Sequence, residues 1–303
     1  MSLWVFDISL ALLLLALAVG ALHNPDLRAS VSLYIAFGLV LALTWARFGA
    51  VDLALAEAAI GAGLTGALLL SALRTGSQEP RAASGSRALM LVAGVAGMVL
   101  LAIAAQALQR LDAGVGPLSD LVGAHLPDSG VEHPVTAVLL NFRAWDTWLE
   151  LMVVLVAALG LRPFASGLTS IRSEPWRVLS AWTRLMAPLL VVVGGYVLWR
   201  GAVAPGGAFQ SGALLAAGAV VLCFSGVLAP LRWSQWWVRL SVTVGVAVFL
   251  GVALVLFASG YGWLEYPATQ AKSWIVAIEV AATWSIAVSL TLLVIPEGEA
   301  TAS

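Results

Sequence analysis

The chain has few charged residues and almost no lysine. Charged side chains make up 10% of the 303 residues, and Lys272 is the single lysine. No basic patch interleaved with aromatic residues occurs, which argues against nucleic acid as a partner. Because 61% of the residues are hydrophobic, an ordinary water-soluble core is excluded as well. The composition predicts a protein of the lipid bilayer.

Cysteine and histidine are equally scarce. Cys223 is the one cysteine and lies in an apolar run, so an internal disulfide is excluded. The three histidines, His23, His125 and His133, lack the spacing of metal ligands, and no cysteine pair exists for a cluster. No nucleophile motif of the G-x-S-x-G type occurs. We therefore predict a protein that is not an enzyme, with no cofactor and no metal site.

What the sequence has instead is a series of long apolar runs. Each has about the 20 residues that a helix needs to cross the hydrocarbon core, and β signals are almost absent. The sequence therefore predicts an all-α, polytopic integral membrane protein with about nine transmembrane helices. The longest connection, 110–145, is expected to be an acidic loop. The expected spans are residues 3–22, 29–46, 52–73, 88–109, 147–165, 184–200, 208–229, 238–258 and 272–295.

The placement of arginine predicts the orientation of these spans. If the N-terminus lies outside, the cytoplasmic loops hold ten arginines, whereas the other side holds four arginines and Lys272. Loops rich in arginine and lysine remain on the cytoplasmic side of a membrane. The expected arrangement is an outside N-terminus and an inside C-terminus.

Among the carboxylates within the apolar runs or at their start are Glu57, Asp146, Glu150 and Glu279. A carboxylate in the hydrocarbon region costs roughly 2.5–3.5 kcal/mol on insertion scales, so these acids are candidates for an ion or proton pathway. Asp146 and Glu150 are four residues apart and share one helix face. The alternative for Asp146 is a helix cap at the membrane surface, with Glu150 one turn further in. Gly61, one turn after Glu57, is expected to serve helix packing.

The alternation of spans predicts that several acids lie at one depth. Asp7, Glu57, Glu150 and Glu279 each lie a few residues into a helix that enters from the outer side, where the turn 205–207 is also expected. We hypothesise a shared acidic layer that relays protons or attracts cations. The alternative is that each acid meets its own interfacial water or arginine partner.

The segment VTAVLLNFRAWDTWLEL carries the first family resemblance. It resembles the motif N-V-I-L-V-D-F-R-G-F-D-T-x-x-E near the end of the large A subunit of Mrp-type cation/proton antiporters, and membrane-bound hydrogenases have equivalent small subunits. This sequence departs from the motif at Asn141, where the family has an acid, and at the pair Ala144-Trp145. The matched positions are Val138, Leu139, Phe142, Arg143, Asp146, Thr147 and Glu150.

Two further segments resemble the same families. VDLALAEAAIGAG resembles the helix D-x-A-L-T-E-A-A-I-G-A-G, with Asp52, Glu57 and Gly61 among the matched positions and Ala56 in place of threonine. RGAVAPGGAFQSGAL resembles the turn H-N-A-P-G-G-G-F-x-x-G of the MnhB subunit, although the His-Asn pair is absent. An ordinary hairpin between two helices is the alternative for this turn. Its matched positions are Ala204, Pro205, Gly206, Gly207, Phe209 and Gly212.

The resemblance implies three modules in the order of the chain. Residues 1–80 would form a three-helix MbhD-like module, 81–170 a two-helix MbhE-like module with an acidic outer loop, and 171–303 a four-helix MnhB-like module. Chains like MnhB place an acid in a final helix comparable to that of Glu279. Arg143 and the turn Pro205-Gly206-Gly207 would be structural.

The function implied by the resemblance is that of a membrane subunit in a multi-subunit Mrp-type cation/proton antiporter. Its carboxylates would contribute to a Na⁺ or H⁺ pathway, and its partners would be other membrane subunits of a bacterial inner membrane complex. The alternatives are an ion-translocating arm of a redox-driven, hydrogenase-like complex and a non-conducting scaffold. A self-sufficient transporter is less favoured, because no internal repeat is visible.

Overall fold

The computed structural model describes residues 3–75, 87–110, 117–165 and 177–295. Within these ranges the chain is helical and contains no β-strand, which confirms the all-α prediction. The elements are α1 Leu3–His23, α2 Leu27–Arg47, α3 Val51–Ala56, a π-helix Glu57–Leu64, α4 Thr65–Thr75, α5 Arg87–Arg110, α6 Pro117–His125, a 3₁₀ turn Leu126–Ser129, α7 Pro134–Ala137, a second π-helix Val138–Phe142, α8 Ala144–Ala165, α9 Arg177–Arg200, α10 Ala208–Phe224, α11 Trp236–Ala258 and α12 Ala271–Val294.

A helical segment lies at each of the nine predicted spans. Seven stretches in the described ranges are long and apolar enough to cross a membrane, and two shorter apolar helices, Gly94–Ala107 and Ala208–Phe224, lie at the remaining predicted positions. The total of nine crossings and the orientation of the N-terminus stay predictions.

Several predicted boundaries differ from the structure. Residues 110–145 are not simply a loop, because α6, the 3₁₀ turn, α7 and the second π-helix lie within them. α10 ends at Phe224 rather than at 229, since Gly226 adopts a positive φ of 73° and Pro230 follows. The expected span 184–200 begins earlier, at Arg177, the first residue of α9. Most of the stretch between the third and fourth expected spans, and residues 166–176, lie outside the described residues.

The third predicted span is a continuous helix whose middle part is π-helical. The π-helix Glu57–Leu64 directly follows α3 and directly precedes α4, and the hydroxyl of Thr65 donates a hydrogen bond of 2.9 Å to the carbonyl oxygen of Ile60. Small residues in this segment allow α2 to approach closely: a Cβ added at Gly38 would lie 2.9 Å from the Cβ of Ala62. Such wider turns occur most often at functional sites.

The core of the larger unit, residues 1–75 and 126–303, is built around α12. Two thirds of the apolar stretch of α12 (67%) is buried inside the chain, compared with 6% for the stretch in α1. α12 packs on α10, α11 and α8. Polar side chains join neighbouring helices as well: Ser285 Oγ donates to the Val242 carbonyl oxygen (2.6 Å) and Ser211 Oγ donates to that of Gly194 (2.8 Å). Hydrogen bonds of this kind hold helices together where lipid supplies no hydrophobic driving force.

The smaller unit, residues 76–125, contains α5 and α6. α5 is apolar along its length, and its described side chains such as Leu91, Met98 and Leu101 are exposed on the chain.

Candidate functional site

Glu279 lies on the most buried of the long apolar helices. It is located two turns into α12, and 3% of the residue is exposed. No hydrogen bond or ion pair to its carboxylate occurs among the residues that the structure describes. A buried acid without a partner is costly in a membrane, and such residues mark pathways for ions or protons.

Two glycines of the 201–207 turn make the space for this carboxylate. A Cβ added at Gly201 would lie 3.1 Å from Glu279 Oε1 and 2.8 Å from the Cα of Gly207, and a Cβ added at Gly207 would lie 3.5 Å from the same oxygen. We call Gly201 and Gly207 the glycine cradle. Any larger residue at Gly201 would meet both the backbone of the turn and the carboxylate.

The local sequence explains the shape of the turn. Gly206 and Gly207 have φ values of 155° and 123°, which residues other than glycine rarely adopt. The N–H of Gly207 donates a hydrogen bond of 3.2 Å to the carbonyl oxygen of Val197, so the chain folds back on the end of α9. The predicted Pro-Gly-Gly motif is therefore a tight reversal between α9 and α10.

A cavity of about 330 Å³ lies beside the carboxylate, between α9 and α12. Its wall includes Gly195, Trp199, Val276, Lys272 and Glu279. Lys272 and Glu279 are seven residues apart on α12, about 10 Å along the helix axis. Apart from Lys272 the rest of the lining is largely apolar, and Glu279 is the only carboxylate among the described residues of the wall.

Asp52 and His133, to which the sequence assigned no pathway role, lie on the other side of the turn. His133 Nε2 is 2.8 Å from Asp52 Oδ2, and the N–H of Gly206 donates a hydrogen bond of 3.1 Å to Asp52 Oδ1. Both side chains are mostly buried, with 13% of His133 and 15% of Asp52 exposed. The sequence offered one signal for this contact, namely that Asp52 begins a matched motif. No local pattern connects Asp52 with His133 and Gly206, which are 81 and 154 positions away.

Glu57 is the first residue of the π-helix. Its side chain is half-buried and folds over Gly61, where an added Cβ would lie within van der Waals overlap of Glu57 Oε1. Gly61 therefore leaves room for a carboxylate, in addition to the packing role expected of it. Like the carboxylate of Glu279, that of Glu57 has no hydrogen bond or ion pair within the described ranges.

Asp146 and Glu150 lie on α8 with different surroundings. Asp146 is in the first turn rather than at the cap position, and its Oδ2 forms an ion pair of 2.5 Å with Nη2 of Arg143. Glu150 is exposed on the surface of the chain, next to the exposed side chains of Leu149 and Val153. Arg143 therefore contacts the acid three residues later, and a structural role for it stays a prediction.

The predicted acidic layer divides into paired and unpaired acids. Asp7 forms an ion pair with Arg47, with 2.9 Å between Oδ1 and Nε, as the alternative of separate arginine partners expected. The carboxylates of Glu57, Glu150 and Glu279 do not hydrogen-bond to one another in the described part of the chain. A common layer that joins these acids stays a hypothesis.

Tyr266, in the loop before α12, is 8% exposed. A tyrosine hydroxyl is neutral at neutral pH, and burial raises the pKa of this phenol further, so Tyr266 contributes no charge near the site. No group of three or more His, Cys, Asp or Glu residues with metal-binding geometry occurs among the described residues. The titratable groups around the turn include the Asp52–His133 pair and, in the cavity wall, Glu279 and Lys272.

Two regions of the chain match models of known protein families. Residues 12–78 match the family model MbhD, which describes the D subunit of MBH, and residues 178–296 match the model of a "domain related to MnhB subunit of Na+/H+ antiporter". The chain has an MbhD-like region and an MnhB-like region. The predicted resemblance to Mrp-type antiporter subunits is thereby confirmed. No curated protein matches the chain.

A solved structure of the Mrp complex from Dietzia sp. DQ12-45-1b contains a chain with the same fold. The TM-score is 0.76 at 22% identity, and the match covers 94% of this chain and 34% of that one. This chain therefore spans about a third of the length of the Mrp chain that it matches. Together with the seven long apolar helices, the match makes the chain a multi-pass membrane protein.

The two matched regions divide the candidate residues. Asp52, Glu57 and Gly61 lie in the MbhD-like region, whereas Glu279 and the 201–207 turn lie in the MnhB-like region. Arg143, Asp146 and Glu150 lie between the two. The boundaries of the three predicted modules, and the MbhE-like character of the middle one, stay predictions. The match to an antiporter-related domain agrees with the prediction that the chain is not an enzyme.

Proposed function

We propose that this chain is a membrane subunit of a multi-subunit Mrp-type cation/proton antiporter in a bacterial cell membrane. Within it, Glu279 would be a carboxylate of the proton or cation pathway. The observation that carries this proposal is the burial of Glu279 on α12 without a partner among the described residues. Support comes from the match of its region to a domain related to an Na⁺/H⁺ antiporter subunit.

Glu57, Asp146 and Glu150 are proposed as further members of the pathway. Glu57 is unpaired in the described ranges and lies in a π-helix, a wider turn of a kind found at functional sites. Glu150 is exposed on an apolar helix, which favours coverage by another subunit, since a carboxylate facing lipid is costly. A hetero-oligomer therefore suits this chain better than an isolated transporter.

The decisive experiment replaces Glu279 by glutamine in the assembled complex. Glutamine has nearly the same shape but carries no charge and exchanges no proton, so we expect assembly to persist and Na⁺-driven proton movement to be lost. Transport is measured in vesicles with a pH-sensitive dye after addition of Na⁺. Glu265→Gln is the matched control, because Glu265 is an exposed acid of the loop before α12. Normal transport in the Glu279 variant would reject the pathway role and favour a non-conducting scaffold.

A second candidate function is supported by the match of residues 12–78 to the MbhD family model. In that case the chain would belong to the ion-translocating arm of a redox-driven complex. Mild-detergent purification of the tagged chain, followed by mass spectrometry, separates the two. Antiporter-type subunits without a metalloprotein would support the antiporter, whereas hydrogenase-type subunits would support the redox pump.

A further inference from the structure

The 201–207 turn touches Glu279 on one side and is held by two other parts of the chain on the opposite side. One of these parts is Asp52, in the first turn of α3. Its Oδ1 accepts the N–H of Gly206 (3.1 Å), and its backbone oxygen accepts a longer hydrogen bond from Gln210 Nε2 (3.5 Å). Asp52 therefore ties the MbhD-like region to the turn.

The other part is the segment 132–136. The N–H groups of Glu132 and His133 donate to the carbonyl oxygen of Ala202 at 2.9 and 3.2 Å, and Thr136 Oγ1 donates to that of Gly201 at 2.5 Å. The imidazole of His133 then reaches Asp52 at 2.8 Å. The two parts are thus joined to each other as well as to the turn.

These contacts matter because the turn has few side chains of its own with which to hold a position. Gly206 and Gly207 lack a Cβ and lose more conformational freedom on folding than other residues do. A glycine segment keeps one conformation only if hydrogen bonds from neighbours fix it. Bonds to a charged carboxylate, such as that from the Gly206 N–H to Asp52, are stronger than bonds between neutral groups.

We propose that Asp52 and His133 are positioning residues for Glu279. Asp52 holds the Gly206 end of the turn, and His133 fixes the Asp52 carboxylate. The turn then positions the glycine cradle around the Glu279 carboxylate. The pair thereby controls how accessible this carboxylate is. The inference rests on the proposed function of Glu279 for its role in transport, but the geometric coupling is measurable without transport.

The test measures the rate at which a hydrophobic carbodiimide labels Glu279 in the purified full-length chain at one fixed pH. The label is quantified by mass spectrometry of the peptide that contains Glu279. Asp52→Ala removes both side-chain contacts of Asp52, and loss of a buried bond to a charged group corresponds to about tenfold or more in a local equilibrium. We expect labelling on the order of tenfold faster in this variant.

His133→Gln retains the backbone bonds to Ala202 and removes only the imidazole. We expect about threefold faster labelling, as for the loss of one ordinary hydrogen bond. The double variant should be no faster than Asp52→Ala, because both changes break the same link. Glu265→Ala is the matched control: Glu265 Oε2 accepts the N–H of Gly262 at 2.8 Å in an exposed turn, so its loss should leave the rate unchanged.

Unchanged labelling in a folded Asp52→Ala protein overturns the proposal, and so do additive effects in the double variant. If Asp52→Ala does not give a monodisperse protein, His133→Gln decides by the same criterion. Failure of the positioning role and failure of the proposed function are distinguishable. Faster labelling in Asp52→Ala together with normal transport in Glu279→Gln supports the positioning role and rejects the pathway role. Unchanged labelling in Asp52→Ala together with lost transport in Glu279→Gln rejects the positioning role alone.

Discussion

α12 and α8 each place a glutamate inside an apolar helix, but the two acids have opposite surroundings. Glu279 on α12 is 3% exposed and lies against the glycine cradle. Glu150 on α8 is exposed, with Leu149 and Val153 beside it at 54% and 68% exposure. Neither acid has an ion-pair partner in the described part of the chain. Glu279 is buried within this chain beside a cavity, whereas Glu150 lies on the surface of the chain.

The difference indicates which acid is surrounded by its own chain and which acid is available for contact with another subunit. A buried acid is positioned by the fold of its own chain, so its properties should be the same in the isolated subunit and in the assembly. An exposed acid on an apolar helix is costly against lipid and is stabilised by polar groups of a neighbouring helix. Under the proposed function, α8 would be an interface and α12 an internal pathway helix.

The aspartates sharpen the contrast. Asp7, Asp52 and Asp146 lie near helix ends, and each is paired with a cation or a histidine of this chain, namely Arg47, His133 and Arg143. Within the apolar helices, the acids without an ion pair among the described residues are Glu57, Glu150 and Glu279, which lie deeper in their helices. Pairing at helix ends is expected, because long arginine side chains reach the membrane surface readily.

The largest effect is expected from filling the cradle. In Gly201→Ala the new Cβ would lie 2.8 Å from Gly207 Cα and 3.1 Å from Glu279 Oε1, and overpacking of this kind costs about 1–3 kcal/mol. We expect the thermal unfolding midpoint of the purified chain to fall by roughly 2–10 °C. Gly251→Ala is the matched control, because a Cβ at Gly251 meets open space. Equal stability of the two variants would show that the region around Glu279 is loosely packed and that the contrast with α8 is false.

An intermediate effect is expected from Glu150→Leu. The change removes an exposed acid and should leave the unfolding midpoint of the isolated chain within about 2 °C, because surface substitutions change stability by less than ~0.5 kcal/mol. Loss of a polar contact between helices of about 1 kcal/mol should lower recovery of partner subunits about fivefold. Co-purification in mild detergent measures this, with Leu149→Ala as a control on the same surface. Unchanged recovery would mean that α8 faces lipid or water in the complex.

The smallest effect is expected from Arg143→Gln. Arg143 is 70% exposed and Asp146 44% exposed, and ion pairs at a surface contribute about 0–1 kcal/mol, less at high salt. We expect an unfolding midpoint within roughly 2 °C of the wild type and a smaller difference still at high salt. A fall in the unfolding midpoint as large as that of Gly201→Ala would show that the Arg143–Asp146 pair contributes strongly to the stability of the chain.

Much of the helical architecture was predictable from local features of the sequence. Each apolar run of about 20 residues became a helix, because only helices satisfy their backbone groups inside lipid. The boundaries failed where short-range signals conflict. The segment 110–145 reads as polar and acidic, yet it forms short helices such as Pro134–Ala137, which begins with proline at its first position. The early end of α10 required the positive φ of Gly226.

The candidate site was predictable only in part. Glu57, Glu279 and the Pro-Gly-Gly turn were identified from the cost of buried charge, from backbone chemistry and from family resemblance. Their neighbours were not. That Asp52 contacts His133 and Gly206, which are 81 and 154 positions away, depends on how helices from distant parts of the chain pack together.

The sequence by itself determined that this protein is a helical membrane protein, where its helices lie and which acids they contain, because helix formation and burial in lipid depend on neighbouring residues. Only the tertiary structure decided which acids are paired, which are buried and which are exposed. Those properties depend on contacts between helices that are remote in sequence. Glu279 and Glu150 are both acids within apolar helices, and only helix packing separates the buried residue from the exposed one.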